Sequence, residues 1–240
     1  MTVKEHYDKH LGNFYSWMMG DFETKQNEFQ NFLQENAINP SSTKIAIDLG
    51  AGHGIQSIPL AKLGFNVIAV DFNDQLLAEL KINAKDLKIE ILNDDIKKVK
   101  QFAKIEPELV ICCGDTLSHL DSKNDIKEFI KDISTILTKN GKMVLSFRDY
   151  SNELSGNDRF IPVKSDETKI LTCILDYDKE TVIVTDLLYE KEETGWTQKV
   201  SSYQKVRILT SEIVELLETE GMRIQFNQVT NRLTTIIATR

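Results

Sequence analysis

The run of residues richest in chemical implication is Ile45-Ala46-Ile47-Asp48-Leu49-Gly50-Ala51-Gly52-His53-Gly54. A short apolar stretch leads into a glycine-rich turn, and a helical pattern follows it. Glycine lets a backbone turn sharply and approach a ligand closely, and such a turn before a helix is suited to polar ligand groups. Asp71 ends the next apolar stretch. Its two acceptor oxygens suit a vicinal diol such as a ribose. These features together point to a nucleoside-containing cofactor. A nicotinamide site wants G-x-G-x-x-G, but the third glycine would fall on Ile55. The spacing here is G-x-G-x-G, preceded by Asp48, which disfavours an oxidoreductase. Asn93-Asp94-Asp95-Ile96 follows the third apolar stretch, and either acid can also serve as a helix N-cap. Phe72 is placed to pack on a base or to join the core. Arg148 ends the fifth stretch. Its guanidinium fork can hold a carboxylate through two bonds, or pair with a nearby acid such as Asp149.

Positioning these groups requires alternating strands and helices, and the pattern supplies them. An amphipathic helix is predicted over residues 21–36, with Phe22, Phe29, Phe32 and Leu33 on one face. Strands are expected over residues 44–49, 66–71, 88–92, 108–113 and 142–147. Helices are expected over 55–63, 74–84, 96–103 and 123–137. Continuous apolar strands separated by helices imply a parallel sheet covered on both faces, and right-handed crossovers make it doubly wound. After Tyr150 the pattern changes. Residues 169–176 and 180–189 flank Tyr177-Asp178-Lys179 as a hairpin, with a third strand near 198–208. A helix over 210–220, capped by Thr210 or Ser211 and closed by Gly221, precedes two final strands. The expected architecture is α/β: a doubly wound, seven-stranded, mostly parallel sheet with an N-terminal helical cap and an antiparallel β insert. Within a single domain the segments are a cap over 1–40, a cofactor-binding core over 41–150, an insert over 151–209 and a closing segment over 210–240. The insert would lie near the carboxyl ends of the strands, as a substrate cover.

The loop from Asp48 to Gly54 resembles motif I of class I S-adenosylmethionine-dependent methyltransferases. Leu109 to Leu120 (LVICCGDTLSHL) and Lys142 to Tyr150 (KMVLSFRDY) resemble the glycine and sarcosine N-methyltransferase family. So do Met18-Met19-Gly20-Asp21 with the helix after them, and Val163-Lys164-Ser165-Asp166. The resemblance runs from about Tyr15 to Ile237. It implies that Asp48, Gly50, Gly52, Gly54 and Cys113 surround S-adenosyl-L-methionine, that Asp71 accepts from its ribose, and that Phe72, Ile96 and Asp95, with Asp94 as the alternative acid, receive its adenine. Lys25 falls where the family holds the cofactor's carboxylate. Arg148 falls where the family holds an amino-acid acceptor. The implied activity is methyl transfer to a small molecule, expected at an amine nitrogen of an amino-acid-like substrate, leaving S-adenosyl-L-homocysteine. Two departures bear on the acceptor: Asp115 stands where the family has asparagine, and Met18 where it has an aromatic residue. Methylation of a non-amino-acid metabolite or natural product, and cofactor binding without turnover, are the competing readings.

Asp115, Arg148 and Tyr203 are the expected acceptor-side residues, with Asp115 a candidate for removing an amine proton. Tyr7, Tyr150 and Tyr177 are further candidates for the pocket wall, and Arg207 accompanies Tyr203. His6 and His10 are four apart, but no acid or cysteine at ligand spacing supports a metal site there, and none is expected. The 37 acidic residues outnumber 29 basic ones, for a net charge of −8. That balance repels a phosphate backbone, so no nucleic-acid partner is expected. The apolar stretches are too short to span a bilayer, so no membrane partner is expected either. Cys112, Cys113 and Cys173 read as free thiols. The expected setting is the cytoplasm; homo-oligomers are compatible with the family, without a surface that the sequence can name.

Overall fold

The computed structural model describes residues 1–240. Three helices open the chain: α1 (Val3–Lys9), α2 (Tyr15–Met19) and α3 (Phe22–Glu35). Asp21 caps α3 by accepting from the Thr24 amide at 2.8 Å. The alternating part follows as β1 (Ile45–Leu49), α4 (Ser57–Lys62), β2 (Asn66–Asp71), α5 (Asp74–Ala84), β3 (Ile89–Asn93), a 3₁₀ segment (Ile96–Ile105), β4 (Leu109–Cys112), α6 (Lys123–Ile136) and β5 (Lys142–Phe147). An insert contributes β6 (Phe160–Ser165), β7 (Lys169–Tyr177), β8 (Thr181–Glu192) and β9 (Gly195–Val206). The chain closes with α7 (Thr210–Thr219), β10 (Arg223–Thr230) and β11 (Leu233–Thr239).

The main sheet has seven strands in the order β10-β11-β5-β4-β1-β2-β3, and β6 to β9 form a second, antiparallel sheet in sequence order. In the main sheet β11 runs antiparallel to both of its neighbours, while β1 to β5 are parallel. Both faces of the central strands β1, β4 and β5 are buried, which is why they read as nearly unbroken apolar runs. Ile47, Val110 and Leu145 join Phe129, Ile130 and Ile133 of α6 in the largest core cluster. Ala46, Ile111 and Val144, on the opposite face, pack with Leu33 and Leu60. Buried side chains at 126, 129, 130 and 133 make one stripe along α6, and Ser122 caps that helix by accepting from the Asp125 amide at 3.1 Å. Burying a side chain such as Phe129 contributes about 1.5–3 kcal/mol.

The strand order reverses between β1 and β4, and the crevice at their carboxyl ends is where open α/β sheets bind ligands. Two expectations need correction. The insert has four strands, since β6 was not foreseen: Pro162 and its exposed neighbours weaken the strand signal there. The N-cap of α7 is Leu209, and the Thr210 hydroxyl bonds instead with that of Thr234 at 3.2 Å. Helix α1 opens the N-terminal cap and folds across the crevice.

Candidate active site

The turn after β1 is held from below. The Gly50 and Ala51 amides donate to the Val70 carbonyl at 2.8 and 3.1 Å, tying the turn to β2. The Ser57 hydroxyl donates to Asp48 at 2.6 Å. Asp48 is buried beneath the turn, and burial pushes its carboxyl up to about 7. Gly50 has φ of 82°, and a Cβ there would come within 2.5 Å of the Thr116 side chain. Gly52 has φ of 51°, and its amide donates to Asp71 at 2.9 Å. The other Asp71 oxygen accepts from the Asn73 amide at 2.9 Å. Burial raises the Asp71 carboxyl despite those amide bonds.

A cavity of about 270 Å³ opens over this turn. Asp71, Phe72, Asp95 and Ile96 line one part of it, Gly50, Gly52, Tyr15 and Cys113 another, and Tyr7 and His119 a third. Helix α1 roofs it: Lys4 donates to the Phe72 carbonyl at 3.2 Å, and Asn73 donates to Asp8 at 2.9 Å. The Tyr7 ring meets Phe72 and His119 edge-on at centroid distances of 5.5 and 5.7 Å.

Next to His119 lies a buried polar group of a different kind. Lys205 of β9 donates to Asp115 at 2.6 Å. The Arg148 amide donates to the second Asp115 oxygen, Oδ1, at 2.9 Å, and the Tyr150 hydroxyl donates to Oδ2, the oxygen Lys205 binds, at 3.4 Å. Burial alone would raise the Asp115 carboxyl, but Lys205 and His119 outweigh it and the net shift is downward. Burial works against the Lys205 ammonium in turn, yet Asp115 and the neighbouring tyrosines hold it well above the usual lysine range. Burial, reinforced by Lys205, pushes the His119 imidazole down to about 3. Its Nε2 is buried and has no hydrogen-bond partner. Tyr203 stacks on His6 at 4.0 Å, and His6 Nδ1 lies 2.8 Å from the Ser201 hydroxyl.

Measured against the expectations, the cavity wall includes Gly50, Gly52, Asp71, Phe72, Asp95, Ile96, Cys113 and Tyr7. Asp48 and Gly54 support the turn without lining the cavity. Asp94 is turned away, accepting from Lys98 at 2.6 Å and from Gln101 at 3.2 Å. Lys25 does not reach the cavity; it pairs with Glu28 at 2.7 Å along the outer side of α3, because i,i+3 neighbours meet on a helix surface. Asp115, Arg148 and Tyr203 also lie outside the cavity wall. The Arg148 side chain is exposed and forms no ion pair with Asp149, whose carboxylate accepts from the Ser151 and Thr210 amides. Arg207 is a structural clamp, donating to the Tyr150 carbonyl and to Glu153 at 2.9 and 2.6 Å. Tyr177 packs with Tyr150 away from the cavity. Lys205 and Tyr15 were missed. The signal for Lys205 was its place on the inward side of β9 with Ser201 and Tyr203, where a period of two puts a lysine among buried residues.

Residues 46–141 match the family model described as a methyltransferase domain. The glycine/sarcosine N-methyltransferase of Aphanothece halophytica is 29% identical over 109 residues, covering 45% of this chain and 41% of that one. The Homo sapiens glycine N-methyltransferase is 26% identical over 201 residues, 75% of this chain and 68% of its own. The chain thus spans well under two thirds of the Aphanothece relative. Among solved structures, an S-adenosylmethionine-dependent methyltransferase from Clostridium acetobutylicum superposes with a TM-score of 0.71 at 17% identity, over 98% of this chain and 96% of that one. The S-adenosylmethionine-bound amino pentose methyltransferase CalS10 of Micromonospora echinaspora gives 0.71 at 12% identity, over 93% of each chain. At those identities the superpositions speak to the fold, and the family model speaks to the domain. Residues 46–141 thus match a methyltransferase-domain model, and the seven-stranded sheet around them has the fold of those solved methyltransferases.

Proposed function

We propose that this protein transfers a methyl group from S-adenosyl-L-methionine to a small-molecule acceptor, at an amine nitrogen of an amino-acid-like substrate. The observation that carries the reading is one continuous cavity running from Asp71 and Asp95, past Gly50 and Gly52, to Tyr7 and His119. The residues fit the cofactor: Asp71 can take the ribose hydroxyls, Phe72 and Ile96 can pack on the adenine with Asp95 at its edge, and the glycine turn leaves room beside Cys113 and Tyr15. When bound, the cofactor supplies an electrophilic methyl on a positive sulfur. Proximity and alignment then supply most of the acceleration.

The acceptor nitrogen must present a free lone pair. His119 stays neutral at physiological pH, so its unpartnered Nε2 can accept a hydrogen bond from an acceptor N–H without repelling it. Asp115, held ionised by Lys205, is a weak base, and its role is to fix Lys205 and the Arg148 backbone. Arg148 has no partner for its guanidinium and is free to take an acceptor's carboxylate. The glycine and sarcosine activities of the relatives support an amino-acid acceptor. We place the protein in the cytoplasm, in keeping with free thiols at Cys112, Cys113 and Cys173; no helix is long and apolar enough to cross a membrane.

Calorimetric titration with S-adenosylmethionine and S-adenosylhomocysteine tests the reading, on the native chain and on Asp71→Ala. Binding that the substitution weakens tenfold or more is expected. A chain that binds neither ligand would falsify the proposal, and binding without release of S-adenosylhomocysteine across a panel of amines and amino acids would leave a binding protein instead.

A further inference from the structure

Asp115 opens the turn after β4 in the left-handed region, with φ of 74°, and its side chain makes no capping bond to the 3₁₀ segment Thr116–His119 that follows. The Ser118 amide and hydroxyl donate to its carbonyl, at 3.2 and 2.8 Å, which fixes His119 one turn beyond it. The carboxylate faces the insert instead. A period of two along β9 turns Ser201, Tyr203 and Lys205 inward, and Lys205 meets Asp115 with the two side chains 9% and 7% exposed. Tyr203 links the two ends of this group: Lys205 Nζ is 5.6 Å from its ring centroid, and the ring meets His119 edge-on at 5.8 Å. His119 thus faces Tyr7 and His6 of α1, Tyr203 and Lys205 of β9, and Asp115 of its own turn. His6 has its own counter-charge, with Nε2 3.2 Å from Asp186.

We propose that Lys205 is a positioning residue for the methyl transfer: its ammonium balances Asp115, so that His119 presents an uncharged ring in the cavity wall. A buried charge is tolerated only with a partner. Asp115, Lys205 and a neutral His119 together carry no net charge. With the ammonium removed, one proton restores that balance, and two groups compete for it. Asp115 keeps the Arg148 amide and the Tyr150 hydroxyl as donors to its carboxylate, which favours its charged form. His119 Nε2 has no partner, so the imidazole takes the proton. In the native chain, burial and Lys205 together hold that imidazole down to about 3. On the methyl-transfer reading, from which this role follows, the insert takes part in the chemistry. An imidazolium in this wall opposes the positive sulfur of the cofactor and has no lone pair left for an acceptor N–H.

Histidine-ring NMR of the ligand-free chain tests the role, with His119→Gln identifying the His119 signal among the four histidines. The native ring should show no titration above about pH 5. In Lys205→Gln, whose amide still extends toward Asp115 without the charge, the same ring should titrate near the ordinary histidine value of about 6.5. Lys205→Arg should restore native behaviour. Calorimetry gives a second reading. At about pH 5.5 the ratio of the Kd for S-adenosylmethionine to that for S-adenosylhomocysteine should rise about tenfold in Lys205→Gln and stay unchanged in Lys205→Arg. Should Lys205→Gln lose the native far-UV circular dichroism, Lys205→Met replaces it. A His119 ring that stays silent in the uncharged variant, with the proton on Asp115, overturns the role. So does a Lys205→Arg chain that titrates like Lys205→Gln, or a Kd ratio that stays fixed while the ring titrates. The ring titration needs no cofactor, so a chain that binds neither ligand would sink the methyl-transfer reading and still decide the relation between Lys205 and His119.

Discussion

Lys205 Nζ lies 2.6 Å from Asp115 Oδ2, and this buried pair joins the inward face of the insert to the turn after β4. Each charge is tolerated only because the other is there: removing one partner of such a pair leaves an uncompensated buried charge, at about 3–5 kcal/mol. Lys205→Met and Asp115→Asn should each lower the unfolding free energy by about that amount. The double variant should lose less than the sum, and urea unfolding in a double-mutant cycle measures the difference. The pH dependence has a definite sign. Asp115 is lowered in the folded state, so its contribution is present above the unfolded carboxylate range and is lost as pH falls through its depressed value. Lys205 is raised, so its contribution is full below the ordinary lysine range and is lost only at higher pH.

Asp48 behaves oppositely. Its carboxyl is raised to about 7 by burial, so the folded chain holds a proton that the unfolded chain has released. That single group should make stability fall as pH rises from about 4 to about 7, by about 1.4 kcal/mol per unit at most. Asp48→Asn should abolish this slope while retaining the contact with Ser57. Comparing unfolding curves of the two chains at pH 5 and pH 8 isolates the effect, and equal differences at both values would refute it.

At Gly50 the backbone is left-handed and the Thr116 side chain stands within 2.5 Å of where a Cβ would be. Gly50→Ala should therefore move the turn and reduce S-adenosylmethionine affinity more than tenfold. Pairing it with Thr116→Ser removes the γ-methyl from that contact and should recover part of the loss, as read by calorimetry.

Arg148 makes no side-chain bond in the structure, so Arg148→Ala should change stability by less than about 0.5 kcal/mol. If its guanidinium takes the acceptor's carboxylate, the substitution should raise the KM of an amino-acid acceptor tenfold or more and leave cofactor affinity unchanged. An acceptor without a carboxylate should be indifferent to it. Steady-state kinetics with both acceptor types reads the outcome.

Local features of the sequence determined the parallel core, because a strand buried on both faces must be apolar throughout and a helix must keep its stripe, as α6 does at 126, 129, 130 and 133. They also determined the glycine turn and Asp71, whose backbone requirements are written in residue type and spacing. Tertiary structure decided what a one-dimensional pattern does not carry. Lys25 and Lys205 are both lysines in amphipathic elements, yet one reaches Glu28 at the surface and the other reaches Asp115 across 90 residues of chain. Asp94 and Asp95 are adjacent, and only the rotation of the chain entering the 3₁₀ segment puts Asp95 at the cavity and Asp94 against Lys98. Which charge is solvated and which is buried depends on how the insert and α1 close over the crevice, and that closure is set by long-range packing of β9, α1 and the β4 turn.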